Sequence, residues 1–292
     1  MWDVCIIGHV TKDIIRVDGK IEKAIPGGTA YYTSIALASL GLKVAVITKT
    51  ARSDRQELLA ELKSRGITVF WQPSSETSLF EAIYYRENLD VRTQKVWAIA
   101  DPFSADDLVD IDAKVFHVGP LTDRDLTPGF LSAIANGKHL LSLDAQGLIR
   151  EITAEGTVCN VNWSEKKREL PSIDILKVDD REAQILTGET DIDRAAIQLS
   201  DWGVKETIVT FGSRGSLIYT HGKFYRIRAF APQQAIDATG CGDTYIAGYL
   251  HQRLQGEDFD MDFDKAGQFA ARVATRKLEK FGPLTDWEGG RR

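Results

Sequence analysis

The strongest constraint on this chain is a rhythm. Short runs rich in Val, Ile and Leu alternate with stretches whose apolar residues recur at helical spacing. VCIIG (4–8) precedes TSIALASLG (33–41), and VAVIT (44–48) precedes ELLAELKSRG (57–66). VFHVG (115–119), LLSLD (140–144), DILKV (174–178) and TIVTF (207–211) continue the series. Strands separated by helices of this length imply right-handed βαβ crossovers and a mostly parallel sheet. Near-continuous apolar strands fit a sheet covered on both faces. The expected class is therefore α/β, a mostly parallel central sheet flanked by helices on both faces. At 292 residues the chain is long for one compact domain but within reach of such a layered fold, and 1–292 reads as a single domain.

Two regions break the rhythm. IIRVDGKIEKAI (14–25) alternates around Asp18-Gly19, and 78–97 holds SLFEAIYYRE, a polar NLD turn and VRTQKVW. Both predict hairpins. We read them as a small β-sheet lid inserted into the α/β body; extra edge strands of the main sheet are the alternative. DKAGQFAARVATRKLEK (264–280) predicts one amphipathic helix, and DWEGGRR a frayed tail.

Composition narrows the function classes. Hydrophobic residues at 43% and charged residues at 27% are those of a globular protein. The net charge of -6 argues against non-specific nucleic-acid or membrane binding, but not against an anion held at one local site. Cys5, Cys159 and Cys241 show neither metal spacing nor a CxxC, and their odd number fits a reducing compartment. The opening MWDVCIIGHV reads as a first strand rather than a signal peptide, and no apolar run reaches membrane-span length. A cytoplasmic location is expected.

The chemistry concentrates in IDATGCGDTYIAGYL (236–250), where a glycine-flanked loop enters a helix at about residue 242. The first amides of a helix lack internal partners and its dipole makes that end positive. Glycines let a ligand approach the backbone, so the loop predicts an anion nest suited to phosphate. Asp243 beside it serves either as a plain first-turn charge or as the base that takes a proton from an attacking hydroxyl. Phosphoryl transfer needs positioning, charge stabilisation and one such group. Rival motifs do poorly: there is no GxxxxGK[ST], and Tyr245 stands where GxGxxG needs its third glycine. A dinucleotide oxidoreductase is correspondingly remote.

The stretch resembles the C-terminal signature of the ribokinase-like (PfkB) carbohydrate kinases, close to D-T-x-G-A-G-D, with Ala238 and Cys241 as small departures. The resemblance implies a ribokinase-like fold, an ATP-dependent phosphotransferase using Mg²⁺, Asp243 as catalytic base, and Gly240, Cys241 and Gly242 as the anion hole. GGTAYYTSIALASLG (27–41) is similar to the family's glycine pair and following helix, which implies Gly27 and Gly28 against the substrate. GHVTKDII (8–15) places Asp13 as the ligand of substrate hydroxyls, a role suited to a carboxylate that accepts two hydroxyl hydrogen bonds.

KVDDREAQILTG (177–188) resembles the N-x-x-E element. Glu182 would help place magnesium, Asp179 replaces the usual asparagine as a second metal-side carboxylate, and Lys177 joins the nucleotide-binding set. Mg²⁺ favours oxygen ligands and retained waters. Asp179 also suits a plain helix N-cap. VTFGSRGSLIY (209–219) resembles the nucleotide-binding T-x-G-x-x-G, with Thr210, Gly212 and Gly215 in place. The adenine would lie towards the terminal helices, near 270–274.

Acceptor specificity is less constrained. Tyr32 occupies the position of a sugar-binding asparagine in ribokinase-type members, so the pocket should differ from a ribose site. LSLDAQGLIR (141–150) puts Asp144 and Gln146 past a strand end, and its D-x-Q-x-x-x-R pattern is similar to that of myo-inositol kinases in the family. The expected partner is a small polyhydroxylated molecule, sugar or cyclitol, with myo-inositol a specific case. A nucleoside kinase of the same family and a non-catalytic sugar-binding regulator are the alternatives. Phe80, Tyr84, Phe103 and Phe116 could stack on a base or simply fill the core. A homodimer through the lid, with Phe80, Ile83 and Tyr85 on its surface, is possible. Cys241, in a helix N-terminal nest, is either an acidified, oxidisable thiol or a small filler.

Overall fold

The computed structural model describes residues 1–17, 20–85, 88–108, 111–135, 137–256 and 261–287. The Asp18-Gly19 turn and the tail from 288 onwards fall outside them, as do the side chains of Tyr84 and Tyr85.

The apolar runs assemble into one nine-stranded sheet. Its parallel part places Trp2–Ile7 between Val44–Thr50 and Ala113–Val118, then continues through Leu140–Asp144 and Ile175–Asp179 to Glu206–Thr210. Thr68–Pro73 adds a parallel strand at one edge. At the other edge Ser216–Thr220 and Lys223–Ile227 pair antiparallel, so the last strands form a meander rather than another crossover. Both faces are covered. Thr29–Ser39, Cys241–Arg253 and Phe263–Leu278 enclose one core with Val4, Ile6, Val46 and Ile208, while Ile7, Ile47, Leu143 and Val178 point into a second core on the opposite face. Core strands buried on both sides are why the runs lack polar alternation.

The helical stretch at 57–66 is two short pieces, Arg55–Leu58 and Ala60–Ser64. The terminal helix spans Phe263–Leu278, close to its expected bounds.

The two rhythm-breaking regions do not extend the main sheet. Thr11–Val17 and Lys20–Gly27 form one antiparallel hairpin, Leu79–Tyr85 and Asn88–Ala98 another. A parallel pairing of Thr11–Val17 with Leu79–Tyr85 joins them into a separate four-stranded sheet. Strand alternation then gives this sheet two unlike faces. Register aligns Asp13 with Ile25 and Phe80, and Ala82 with Ile15 and Gln94, on the face turned towards the body. Glu81, ion-paired with Arg16 and accepting from Trp97 Nε1, lies on the other.

Candidate active site

Cys241–Arg253 opens at Gly240, whose φ of 74° no other residue type adopts without strain. A Cβ there would lie 2.3 Å from the Tyr32 ring, so the loop packs directly on an aromatic wall. Gly240 supplies no side-chain cap. The Cys241 amide donates to the Ala238 carbonyl at 3.2 Å, and the Gly242 and Asp243 amides that follow are left for a ligand, at the positive end of a 13-residue helix. Gly28 repeats the device at the start of Thr29–Ser39: φ is 87°, and a Cβ would clash with the His9 carbonyl.

Between this nest and the small sheet lies a cavity of about 170 Å³. Asp13, Gly28, Tyr32, Gln146, Gly240 and Asp243, drawn from four separate stretches of sequence, all line it. Gly27 underlies Asp13, its absent side chain making room for the carboxylate. Thr11 donates to that carboxylate at 2.7 Å. Asp243 accepts from the Thr29 hydroxyl, which in turn accepts from Gln146 Nε2 at 3.2 Å. A larger cavity, about 240 Å³ between Phe130, Trp163 and Arg168, contains none of the motif residues.

Beneath the cavity the charges are tightly paired. Asp144 is fully buried and does not reach the cavity wall; it holds Lys177 Nζ at 2.6 Å and accepts from the Gln146 amide. A substrate contact through Asp144 is therefore replaced by support for Lys177. The ammonium lies against Gly242, 3.1 Å from where a Cβ would be, so it adds positive charge under the nest. Burial pushes the Asp144 carboxyl up, but Lys177 outweighs it and holds the group below the usual range. Burial works against the Lys177 charge too, and Asp144, Glu182 and Asp243 more than offset it, raising its pKa.

Asp243 behaves oppositely. Burial, with Asp144 adding to it, pushes its carboxyl up to about 6, against the pull of Lys177, Thr29 and Arg150. A carboxylate whose proton affinity approaches neutrality is suited to accept a proton in a transition state. Glu182 rises to about 7, through burial first and the negative Asp144 next.

Asp179 and Glu182 form a reciprocal capping box on Asp180–Thr187: Glu182 N donates to Asp179 Oδ1 at 2.7 Å, and Asp179 N to Glu182 Oε2 at 2.8 Å. Capping occupies one oxygen of each carboxylate; the other Glu182 oxygen faces the Arg150 guanidinium at 3.8 Å. Among the described residues no three His, Cys, Asp or Glu side chains form a metal cage. The arrangement fits Mg²⁺ of the kind held by one or two carboxylates, waters and substrate phosphates. Thr210 ends its strand, donating to Val178 O at 3.4 Å, and Gly212 and Gly215 follow in the turn with φ of 58° and 99°. These residues and Asp144, Asp179 and the nest all lie beyond carboxyl ends of the parallel strands, where such sheets bind ligands.

Several sequence expectations change. Burial pushes the Cys241 thiol up to about 11, and its Sγ faces the Asp237 and Ala274 carbonyls, so it is a filler and not an acidified thiol. Ala270, Ala271 and Val273 are core residues, leaving little of 270–274 for a nucleobase. Phe103 stacks on buried His9, and Phe116 packs at a tilt against His139, away from the cavity; Phe80 does line it. Tyr32 is buried with a hydroxyl that has no partner among the described residues. Thr29 and Arg150 also line the cavity. Thr29 directly follows the glycine pair, and Arg150 closes the D-x-Q-x-x-x-R pattern; its guanidinium lies 3.8 Å from Glu182.

A model of the pfkB family carbohydrate kinases matches residues 129–288. A cytidine kinase of Thermococcus kodakarensis is 28% identical over 98% of this chain and 99% of its own length. A pyrophosphate-dependent kinase in the ribokinase family, solved with a pyrophosphate analog and myo-inositol, superposes with a TM-score of 0.85 at 31% identity, covering 96% of this chain and 97% of that one. The sulfate complex of a pyrophosphate-dependent kinase in the ribokinase family gives a TM-score of 0.86 at the same identity, over 96% and 97% of the two chains. With its nest, its flanking carboxylate and its ribokinase-like sheet, the chain belongs to the pfkB family of carbohydrate kinases, phosphotransferases acting on sugar or nucleoside hydroxyls.

Proposed function

We propose that this enzyme phosphorylates a hydroxyl of a small sugar or cyclitol, with myo-inositol as the specific acceptor. The observation that carries this is the position of Asp243: on the cavity wall, at the mouth of an uncapped helix, with its pKa raised to about 6. The acceptor lies between the nest and the small sheet, which acts as a lid and carries Asp13, whose carboxylate accepts hydrogen bonds from the acceptor's hydroxyls. Asp243 takes the proton of the reacting hydroxyl as that oxygen forms its bond to the terminal phosphorus. The bond from phosphorus to the departing phosphate oxygen breaks, and the negative charge is spread over the amides of 240–242 and towards Lys177. Asp179 and Glu182 would hold magnesium, which neutralises donor phosphate charge when bound. Thr210, Gly212 and Gly215 flank the donor. The lid excludes water and limits hydrolysis of the donor. Two copies would pair through the lid, whose outer side exposes Trp97.

ATP is the donor that the signature motifs imply. Pyrophosphate is the second reading, favoured by the 31% identity over 96% of the chain to a kinase solved with a pyrophosphate analog. A nucleoside acceptor is favoured by the full-length likeness to cytidine kinase. The test is a matrix: ATP or pyrophosphate with Mg²⁺, against myo-inositol, hexoses, pentoses and nucleosides, with the phosphate ester detected by ³¹P NMR. Ester formation from myo-inositol supports the acceptor assignment; a nucleoside monophosphate as the dominant product overturns it.

A further inference from the structure

The anion nest rests on a buried cation that is outside the reacting centre. Lys277, in the last turn of Phe263–Leu278, has no exposed surface. Its ammonium donates to the Asp237 carbonyl at 2.8 Å, to Asp237 Oδ2 at 3.0 Å and to the Lys280 carbonyl at 3.3 Å. Three donors meet three oxygens, so the group is satisfied although dry. Two of these oxygens belong to Asp237, in the loop that becomes the nest; the third lies just past the end of the lysine's own helix. Asp237 Oδ1 accepts from the Thr239 amide at 2.9 Å, and Oδ2 also accepts from the Gly282 amide at 3.1 Å. The Asp237 carbonyl faces the Cys241 thiol as well. On the other side the ammonium lies 5.9 Å from the centre of the Tyr32 ring, the ring that packs on Gly240.

We propose that Lys277 is a positioning residue for phosphoryl transfer: a tethered cation that holds the 237–242 loop in anion-binding shape. This rests on the kinase reading for its catalytic consequence, though not for its structural one. Burying a lysine is costly, and an apolar residue in a helix packed on a core would be the simpler choice. What the charge adds is a fixed point to which two carbonyls and a carboxylate are drawn together, with Thr239 and Gly240 carried along. Truncating the side chain would leave a small oxygen-lined void of the right charge for a free monovalent cation.

The experiment compares wild type with Lys277→Ala in sodium buffer and after addition of ammonium chloride, reading three quantities. These are hydrogen exchange at amides 239–242, pyrophosphate affinity by calorimetry, and kcat and KM with the acceptor found above. We expect faster exchange, and pyrophosphate affinity and kcat each lowered about tenfold or more, with acceptor KM little changed. Ammonium at about 100 mM should restore most of the loss, while wild type stays indifferent to it. Wild-type-like exchange and affinity in the variant, or losses that ammonium does not relieve, overturn the proposal. Should Lys277→Ala fail to fold, Asp237→Asn keeps the ammonium but weakens its hold: faster exchange at 239–242 supports the assignment, and unchanged exchange overturns it. A wild type that phosphorylates nothing removes the kinase reading alone, and the exchange arm still decides the role of Lys277.

Discussion

The floor and the roof of the cavity are built on different principles. The floor is charged and over-determined: Lys177 with Asp144, Asp179 with Glu182, and Lys277 with Asp237 are each fixed by hydrogen bonds at or below 3.0 Å. The roof is one face of a four-stranded sheet, where Asp13 is the one carboxylate among Ile15, Ile25, Phe80, Ala82 and Gln94. Rigid polar geometry is what charge transfer to a phosphoryl oxygen demands. A mainly apolar surface with a few polar groups is what selects an acceptor by shape. The floor therefore carries the reaction type and the roof the choice of acceptor, and substitutions should separate the two.

The largest effect is expected at the junction. Asp243→Asn should lower kcat about 10³-fold while acceptor affinity, measured by calorimetry, stays within a few-fold. Next comes the floor. Lys177→Met should cost about 100-fold in kcat and also destabilise, since it strands a buried Asp144; Lys177→Met with Asp144→Asn should recover the melting temperature but not the rate. On the roof, Asp13→Ala should raise acceptor KM about tenfold or more and leave kcat less affected. Phe80→Leu should alter the ranking of acceptors by about tenfold with donor KM unchanged. A floor variant that changes acceptor ranking, or a roof variant that changes only kcat, would break the division.

Acidity adds a smaller, directional test. Asp243 must be ionised to accept a proton, so kcat/KM should fall about tenfold per pH unit below about 6. The same shift acts on stability with a fixed sign. A carboxyl whose folded pKa is raised from 3.8 to about 6 favours the fold only when protonated. That contribution is complete below about 3.8 and lost as pH rises through about 6. Asp243→Asn should thus raise the melting temperature by about 2 °C at pH 7.5, with the gain vanishing near pH 3.5 if the protein is still folded there.

Legibility in the sequence follows the same division. The sheet was readable because strands buried on both faces are uninterrupted apolar runs, and the small sheet because alternation marks a two-faced strand. The meander at 216–227 was harder, since an antiparallel edge lacks the helix that announces a crossover. The nest was readable because Gly240 is forced by φ and by the Tyr32 ring. Asp144 was visible as a carboxylate at a strand end, but only three dimensions pair it with Lys177, 33 residues away. Thr29 and Lys277 gave no signal at all: a threonine opening a helix and a lysine closing one are ordinary in sequence, and their neighbours, Asp243 and Asp237, lie far along the chain.

The most direct measurement of the central claim is single-turnover phosphoryl transfer by wild type and Asp243→Asn, with the productive donor–acceptor pair, across pH 5 to about 8. The account predicts a wild-type rate that rises with pH and levels off above about 6, together with a variant that binds both ligands yet transfers phosphate about 10³-fold more slowly on that plateau and no longer shows the rise. A variant within tenfold of wild type, or one that retains the same pH profile, would contradict Asp243 as the base.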